Sequence, residues 1–319
     1  MRKVMETIRR HRRFAVSTHI NPEGDALGSA LGLASLLKRL GKQALVATDG
    51  GVPEAFRFLP RVAKVSKRPA DHSAEVAMTV DVPILSRLGC MAPRFERSPV
   101  RVNIDHHVSN HRFGQVNWVD PHASAVGEMI HRLYKAFKVQ PSVQEAQCLY
   151  VSIVTDTGSF RYMSTTPAVH RIAAELIGTG VSPLKVSQDL YECHSARDLH
   201  FLGAVLGTLR TVNSEQIAWL EIPHTLLRRF RPGPEIMDEL VNYPRAVRTA
   251  EVAFTLRQET TDGKIRVSFR SKGRIDVNRI AQQFKGGGHR AASGCTLEGT
   301  LLNARRQVLK VVRKALESA

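Results

Sequence analysis

Cysteine is scarce in this chain, and its copies stand far apart. Cys90, Cys148, Cys193 and Cys295 are the four among 319 residues, with no Cys-x-x-Cys pair. That argues against a disulfide scaffold and a zinc ribbon and fits a reducing compartment, so a cytoplasmic location is expected. Long apolar runs are also missing. None approaches the roughly 18 consecutive apolar residues that a membrane span needs, so no membrane association is expected. The basic start, Met1 to Arg13, includes Glu6 and lacks the apolar core of a secretory signal. Internal repeats and low-complexity tracts are absent. Acids are in deficit: 29 Asp and Glu stand against 46 Lys and Arg, a formal charge of +17. The basic residues are spread through the chain. Such a field attracts polyanions and speeds their encounter, without proving that they bind.

What remains is ample for folding. An apolar fraction of 43% supports a packed interior, and 319 residues are comfortable for two domains. The most informative stretch is Pro99 to Asn110, Pro-Val-Arg-Val-Asn-Ile-Asp-His-His-Val-Ser-Asn. Val100, Val102 and Ile104 alternate with polar residues, which predicts a strand, and the strand delivers Asp105, His106 and His107 at its carboxyl end. In open α/β sheets that end is where ligands bind.

Other segments deliver polar groups in the same way. Residues 1–13 predict a short amphipathic helix with Val4 and Ile8 inward. Phe14 to Thr18 predicts a buried first strand ending in His19-Ile20-Asn21-Pro22-Glu23-Gly24-Asp25. Leu27, Ala30, Leu31, Ala34, Leu37 and Leu40 then recur at helical spacing, Gly41 stops the helix, and Ala44 to Thr48 completes a βαβ unit. Glu75 to Val80 is a further strand, ending in Asp81. Helical spacing returns over Ala125 to Phe137. It recurs at Ala146, Leu149, Tyr150, Ile153 and Val154, a helix that runs into Thr155-Asp156-Thr157-Gly158. Taken singly, Asp25 serves equally well as a helix cap and Gly28 as a packing residue.

A helical stretch, Ala168 to Leu209, ends the first domain. Strands are expected over Ile217–Ile222, Glu251–Gln258 and Lys264–Arg270, then a helix over Val277–Phe284. The run Lys285-Gly286-Gly287-Gly288-His289 follows, and a basic helix, Leu301–Leu316, closes the chain. Consecutive glycines let backbone N–H groups approach a phosphate, and Arg270-Ser271 offers a bidentate donor; a flexible turn is the plainer reading of the glycines.

His19, Glu23, Asp25, Asp81, His106 and Asp156 make four carboxylates and two imidazoles without a thiolate. Such hard donors suit Mn²⁺ or Mg²⁺, and at times Co²⁺ or Fe²⁺. Six ligands exceed the need of one catalytic ion with an open position. Two ions about 3.5–4 Å apart and bridged by a carboxylate use the set, as in metal-assisted phosphoester hydrolysis.

These motifs resemble those of the DHH/DHHA1 phosphoesterases, most of all the branch of bifunctional oligoribonucleases and 3′-phosphoadenosine 5′-phosphate (pAp) phosphatases. The resemblance rests on His-x-Asn-Pro-x-Gly-Asp-x-x-Gly-Ser at His19 to Ser29, Val-Asp at Asp81, and Asp-His-His at Asp105. Thr-Asp-Thr-Gly-x-Phe-Arg at Thr155 and the glycine-rich histidine motif at Gly286 complete it. It implies two α/β lobes with a catalytic cleft between them: a parallel-sheet DHH domain over 1–190, a helical linker over 191–212, and a smaller DHHA1 domain over 213–319. It implies hydrolysis of short RNA oligonucleotides to mononucleotides and of pAp to AMP with two divalent cations, Mn²⁺ first and Mg²⁺ or Co²⁺ as alternatives. His19, Glu23 and Asp81 would hold one ion, and Asp25, Asp81, His106 and Asp156 the other. His107 would contact the phosphate and Asp105 would orient it. Arg270, Ser271, Gly286, Gly287, Gly288 and His289 would grip the nucleotide, and a homodimer is a family-level expectation. Glu23 departs from the usual Asp by one methylene, and Lys285 from a usual glycine. A dinucleotide phosphodiesterase acting on pApA or cyclic di-AMP is the alternative. A non-catalytic nucleic-acid-binding protein is the rival outside enzymes.

Overall fold

Short apolar runs alternating with helical periodicity build the first half of the chain around a sheet whose strands all run the same way. The structure, a computed structural model, describes residues 1–68, 74–260 and 263–318; the side chains of Pro234, Glu235, Asp238 and His289 lie outside the described set. Two units divide it, Met1–Cys193 and His194–Ala319.

In the first unit β1 (Arg13–Ser17), β2 (Gln43–Ala47), β3 (Val76–Val80), β4 (Val100–Asp105) and β5 (Val116–Val119) lie in the order β2-β1-β3-β4-β5, every pair parallel. β3 is buried along its whole length, as its unbroken apolar run requires. β5 has only four residues, all half-buried at the sheet edge, so its sequence carries no alternation to announce it. From β1 the chain moves to β2 on one side and then returns to β3 on the other. The carboxyl ends of β1 and β3 therefore flank a topological switch point, where such sheets bind ligands.

Helices α1 (Arg2–Arg10), α2 (Gly24–Arg39), α3 (Ala92–Glu96), α4 (Val126–Ala136), α5 (Val143–Asp156), α6 (Pro167–Gly178) and α7 (Pro183–Tyr191) complete this unit. α5 starts in a capping box: Ser142 Oγ accepts from the Glu145 N–H, and the Glu145 carboxylate accepts from the Ser142 N–H. α2 is buried from Gly24 to Leu37. Its fully buried leucines, Leu27, Leu33, Leu36 and Leu37, contribute on the order of 1.5–3 kcal/mol each to the core. Gly24, Gly28 and Gly32 lie one turn apart on α2. A Cβ at Gly28 would sit 2.3 Å from the Cys148 carbonyl oxygen, and one at Gly24 would sit 2.4 Å from Thr155 Cγ2. The absent side chains let α5 pack at backbone distance, so Gly28 does serve packing. That close approach also carries Asp156, at the end of α5, towards Asp25 in the first turn of α2.

The second unit begins with α8 (Ala196–Leu206). Phe201 and Val205 of α8 are buried with Leu220, Ile222 and Leu240. β6 (Arg210–Val212), β7 (Ile217–Ile222), α9 (His224–Phe230), α10 (Pro234–Glu239), α11 (Asn242–Arg245), β8 (Val252–Gln258) and β9 (Lys264–Ser271) follow. Then come α12 (Val277–Gln282), β10 (Gly287–His289), β11 (Ala292–Glu298) and α13 (Leu301–Glu317). The sheet order is β10-β11-β9-β8-β7-β6; only β7 and β8 pair in parallel. Ile265, Val267 and Phe269 of β9 alternate into a core with Val308 and Val312 of α13. The glycine run is not a turn: Gly287 to His289 pair antiparallel with Ala292 to Gly294. Among the described residues no helix is long and apolar enough to cross a membrane.

Candidate metal centre

Four segments meet at the carboxyl edge of the first unit's sheet. β1 leads into His19, β3 into Asp81, and β4 ends at Asp105 with His106 and His107 behind it. Asp25 comes from the first turn of α2 and Asp156 from the last residue of α5. Three groups form with ligand atoms within 4.8 Å of one another: His19, Glu23 and Asp81; Asp25, His106 and Asp156; Asp81, His106 and His107. All six expected ligands are thus brought together, and Asp81 stands between the two imidazoles. Its Oδ2 is 3.5 Å from His19 Nε2 and its Oδ1 is 3.7 Å from His106 Nε2.

Hydrogen bonds fix which way the imidazoles face. His19 Nδ1 is 2.8 Å from the Ile20 carbonyl oxygen and His106 Nδ1 is 3.1 Å from that of Ala123. A carbonyl only accepts, so His106 Nδ1 carries a hydrogen, while His19 Nδ1 lies between the Ile20 carbonyl and, at 3.2 Å, the donating Arg87 guanidinium; both rings turn Nε2 towards the carboxylates. His19 Nε2 faces Asp81 and, at 4.0 Å, Glu23; His106 Nε2 faces Asp156 at 3.4 Å and Asp25 at 3.7 Å. An imidazole nitrogen facing a carboxylate oxygen needs a proton or a cation between the two. Asp81 Oδ1 is buried with no hydrogen-bond partner among the described residues. Such an atom is costly to leave unsatisfied. Asp81 also holds a left-handed backbone, φ +60°, which costs a non-glycine residue about 1–2 kcal/mol.

Charge points the same way. Two carboxylates within 4.8 Å repel by about 3 kcal/mol at an effective dielectric near 20. Burial, then the Asp25 charge, pushes the Asp81 carboxyl well above its usual range; the same two causes raise Asp156 to about 7. Burial pushes His106 down, but Asp25, Asp156 and Asp81 together outweigh it and raise the imidazole to about 9. His19 is lowered, first by burial, with the Arg87 guanidinium adding to the effect against Ile20, Glu23 and Asp25. Left to itself the cluster holds protons where positive charge is short. A hard donor set with an orphaned buried oxygen fits divalent cations.

Supporting contacts explain the geometry. Asp25 Oδ2 accepts from the Val126 N–H at 2.9 Å, and Oδ1 accepts from the Gly127 N–H and the Ser152 hydroxyl. The carboxylate therefore sits on the N-terminus of α4. His107 Nδ1 donates to Asp105 Oδ1 at 2.8 Å, which commits that nitrogen to Asp105. Asp105 is pushed up by burial, but the hydrogen bonds and charge of His107, with the Asn110 amide, hold it below the usual carboxylate value. Glu23 is 69% exposed, and its longer chain still reaches within the His19–Asp81 group. Sequence reasoning passed over Ser152, Asn110 and Arg87. Ser152 lies four residues before Asp156, one turn back on α5, and Asn110 ends the Asp-His-His stretch, so spacing offered a signal for both. Arg87 had none.

The expected nucleotide-gripping residues lie in the second unit. Arg270 and Ser271 end β9, and the Ser271 hydroxyl is buried without a hydrogen-bond partner among the described residues. Gly286 and Gly288 have a structural reason to be glycine. A Cβ at Gly286 would meet the Gly294 carbonyl oxygen at 2.2 Å, and one at Gly288 that of Ala292 at 2.6 Å. Gly287 alone has room beside it, with Asn278 Oδ1 at 3.9 Å. The side chain of His289 lies outside the described residues.

Residues 13–153 match the DHH family, N-terminal domain, and residues 226–318 match the DHHA1 domain. The bifunctional oligoribonuclease and PAP phosphatase NrnA of Thermus thermophilus is 34% identical over 315 residues, 95% of this chain and 90% of that one. The protein of the same name from Bacillus subtilis is 26% identical over 298 residues, 92% of each chain. An exopolyphosphatase-related protein from Bacteroides fragilis, solved by crystallography, aligns at a TM-score of 0.90 and 26% identity, over 99% of this chain and 95% of that one. With both domains in order, and with a relative this similar over nearly its full length, the chain belongs to the DHH/DHHA1 family of metal-dependent phosphoesterases.

Proposed function

We propose that this phosphoesterase hydrolyses short oligoribonucleotides to mononucleotides and removes the 3′-phosphate of pAp, with two divalent cations, Mn²⁺ by preference. The observation that carries the reading is Asp81: a buried carboxylate with an orphaned oxygen, set between two imidazole nitrogens at the switch point of the sheet. The relatives named above support the substrate class.

His19, Glu23 and Asp81 would hold one cation; Asp25, Asp81, His106 and Asp156 the other. When bound, such a pair lowers the pKa of a coordinated water and neutralises charge on phosphoryl oxygens. The chain's own groups do the rest. The Ile20 and Ala123 carbonyls orient the His19 and His106 rings so that each Nε2 faces the carboxylates, and His106 would give up the proton that those carboxylates keep on its ring in order to hold a cation. Asp105 fixes the His107 ring through Nδ1, and Nε2 is assigned to donate to a phosphoryl oxygen as negative charge grows there. Arg270, Ser271, Gly286, Gly287, Gly288 and His289 are assigned to the nucleotide. In both a phosphodiester and a 3′-phosphomonoester water adds to phosphorus and one alcohol leaves; the first product keeps an ester bond and the second is inorganic phosphate, so one site serves both. The chain acts within the cytoplasm in this reading.

The test is mononucleotide release from a labelled RNA dinucleotide and phosphate release from pAp, with Mn²⁺ or with EDTA. A His106→Ala/Asp156→Ala variant serves as the blank. Turnover of both substrates that vanishes in EDTA and in the variant is expected. Turnover of neither, in a folded protein that still binds RNA, would leave a nucleic-acid-binding protein instead.

A further inference from the structure

The second unit carries a cavity of about 360 Å³ between α12 and α13. None of its lining residues belongs to the metal cluster or to the residues assigned to the substrate. Four cations converge on it from four separate places. They are Arg274 after β9, Arg279 on α12, Arg290 between β10 and β11, and Lys314 in the last turn of α13.

Little nearby neutralises them. Among the described residues Asp276 is the one acid in the lining. Its Oδ1 is taken up by the backbone N–H groups of Asn278 and Arg279, and its Oδ2 lies 3.7 Å from Arg279 Nε. The C-terminus of α13 adds about half a negative charge, which offsets part of Lys314. Among the described residues Arg274, Arg290 and Lys314 have no carboxylate partner. Exposed cations are ordinary on a chain of charge +17. Convergence of four on one small cavity, with only a partly engaged acid among them, is not what a solvated face requires. The floor is apolar, from the buried Ile280 and the half-buried Val311. A cavity of this size exceeds what a bare phosphate fills and lies in the range that takes a small organic ligand.

From this geometry we infer that the cavity is a second nucleotide site, with its cations holding a phosphate and its apolar floor taking the base or ribose. The anion preference rests on the cavity alone, while the choice of a nucleotide rests on the proposed function. The phosphate comes either from a free mononucleotide, such as the product of the proposed reaction, or from the far end of a bound oligoribonucleotide.

The experiment reads binding rather than turnover, so it stands or falls separately from the catalytic reading. AMP, inorganic phosphate and a labelled RNA heptamer are titrated in EDTA into the full chain carrying His106→Ala/Asp156→Ala. The same titrations are made with Arg279→Glu/Lys314→Glu added, and with Arg279→Gln/Lys314→Gln added. The charge-reversed chain should lose affinity by about tenfold or more, the loss expected from one charge-assisted hydrogen bond. The neutral pair should fall between it and the parent. Loss for AMP identifies a free nucleotide; loss confined to the heptamer, with a smaller salt slope, identifies an RNA phosphate. Inorganic phosphate should bind more weakly than AMP. The inference is overturned if AMP and heptamer both bind alike to parent and charge-reversed chains of equal thermal midpoint, or if inorganic phosphate binds as tightly as AMP.

Discussion

The two units handle charge in opposite ways. The first collects acids and imidazoles where parallel strands end, because every strand of such a sheet points its carboxyl end to the same edge. The second is mostly antiparallel, so its strand ends alternate between edges and no comparable cluster forms among the described residues. It gathers cations at its helices and turns instead. Negative charge concentrated in one unit calls for metal, and positive charge gathered in the other calls for phosphate. The lesson is that topology decides where reactive groups can accumulate, and the residues set at those positions decide their sign, since both units are rich in Lys and Arg.

The largest effect should come from the middle of the acidic cluster. Asp81→Asn removes a carboxylate shared by two groups, and turnover should fall by about a thousandfold or more in Mn²⁺. The same change relieves like-charge crowding, so the thermal midpoint in EDTA should rise. A lower midpoint would place Asp81 in the scaffold rather than the site. Gly28→Ala comes next, since its Cβ would lie 2.3 Å from a backbone oxygen of α5. It should destabilise by about 1–3 kcal/mol and weaken metal binding, read by denaturation and Mn²⁺ titration. The matching change in the other unit, Gly286→Ala, should alter KM for nucleotides and leave Mn²⁺ affinity as it was.

Smaller effects sharpen the contrast. Asn110→Ala should lower kcat by about tenfold through loosening of Asp105 and His107, with little change in Mn²⁺ affinity. The metal-free protein should lose stability as pH rises. Asp81 and Asp156 are raised in the folded state, so the fold binds more protons than the unfolded chain from about pH 4 up to about 7 for Asp156. His106 acts in the same direction: its contribution is complete below the ordinary value of 6.5 and is lost as pH rises through about 9. His19, lowered, works against them below its ordinary value of 6.5, so midpoints in EDTA should fall most clearly above that pH, and Mn²⁺ should flatten the curve.

Much of this was legible in the residues. The alternation that ends in Asp-His-His, the polar groups after Val80 and Thr18, and the helix running into Asp156 place six side chains at one edge from the sequence alone. Order and spacing along the chain carry that information because parallel strands share an edge. β5 was not legible, since four half-buried residues have no period. Ser152 and Asn110 act through other side chains, which gives them no composition signal of their own. The glycine run reads in sequence as a turn or a cradle; it is not a turn, since Gly287 to His289 pair as a strand. A glycine that yields to a neighbouring backbone looks the same in sequence as one that yields to a ligand. Gly28 poses the same ambiguity, and there the neighbour is α5.

The central claim, that the first unit would hold two cations with Asp81 shared between them, is tested most directly by counting them. Mn²⁺ bound per chain is measured by equilibrium dialysis, with electron paramagnetic resonance on the same samples. The account predicts two ions per wild-type chain with an exchange-coupled spectrum, and loss of that coupling in Asp81→Asn. A single uncoupled ion in the wild type, or coupling that survives Asp81→Asn, would contradict it.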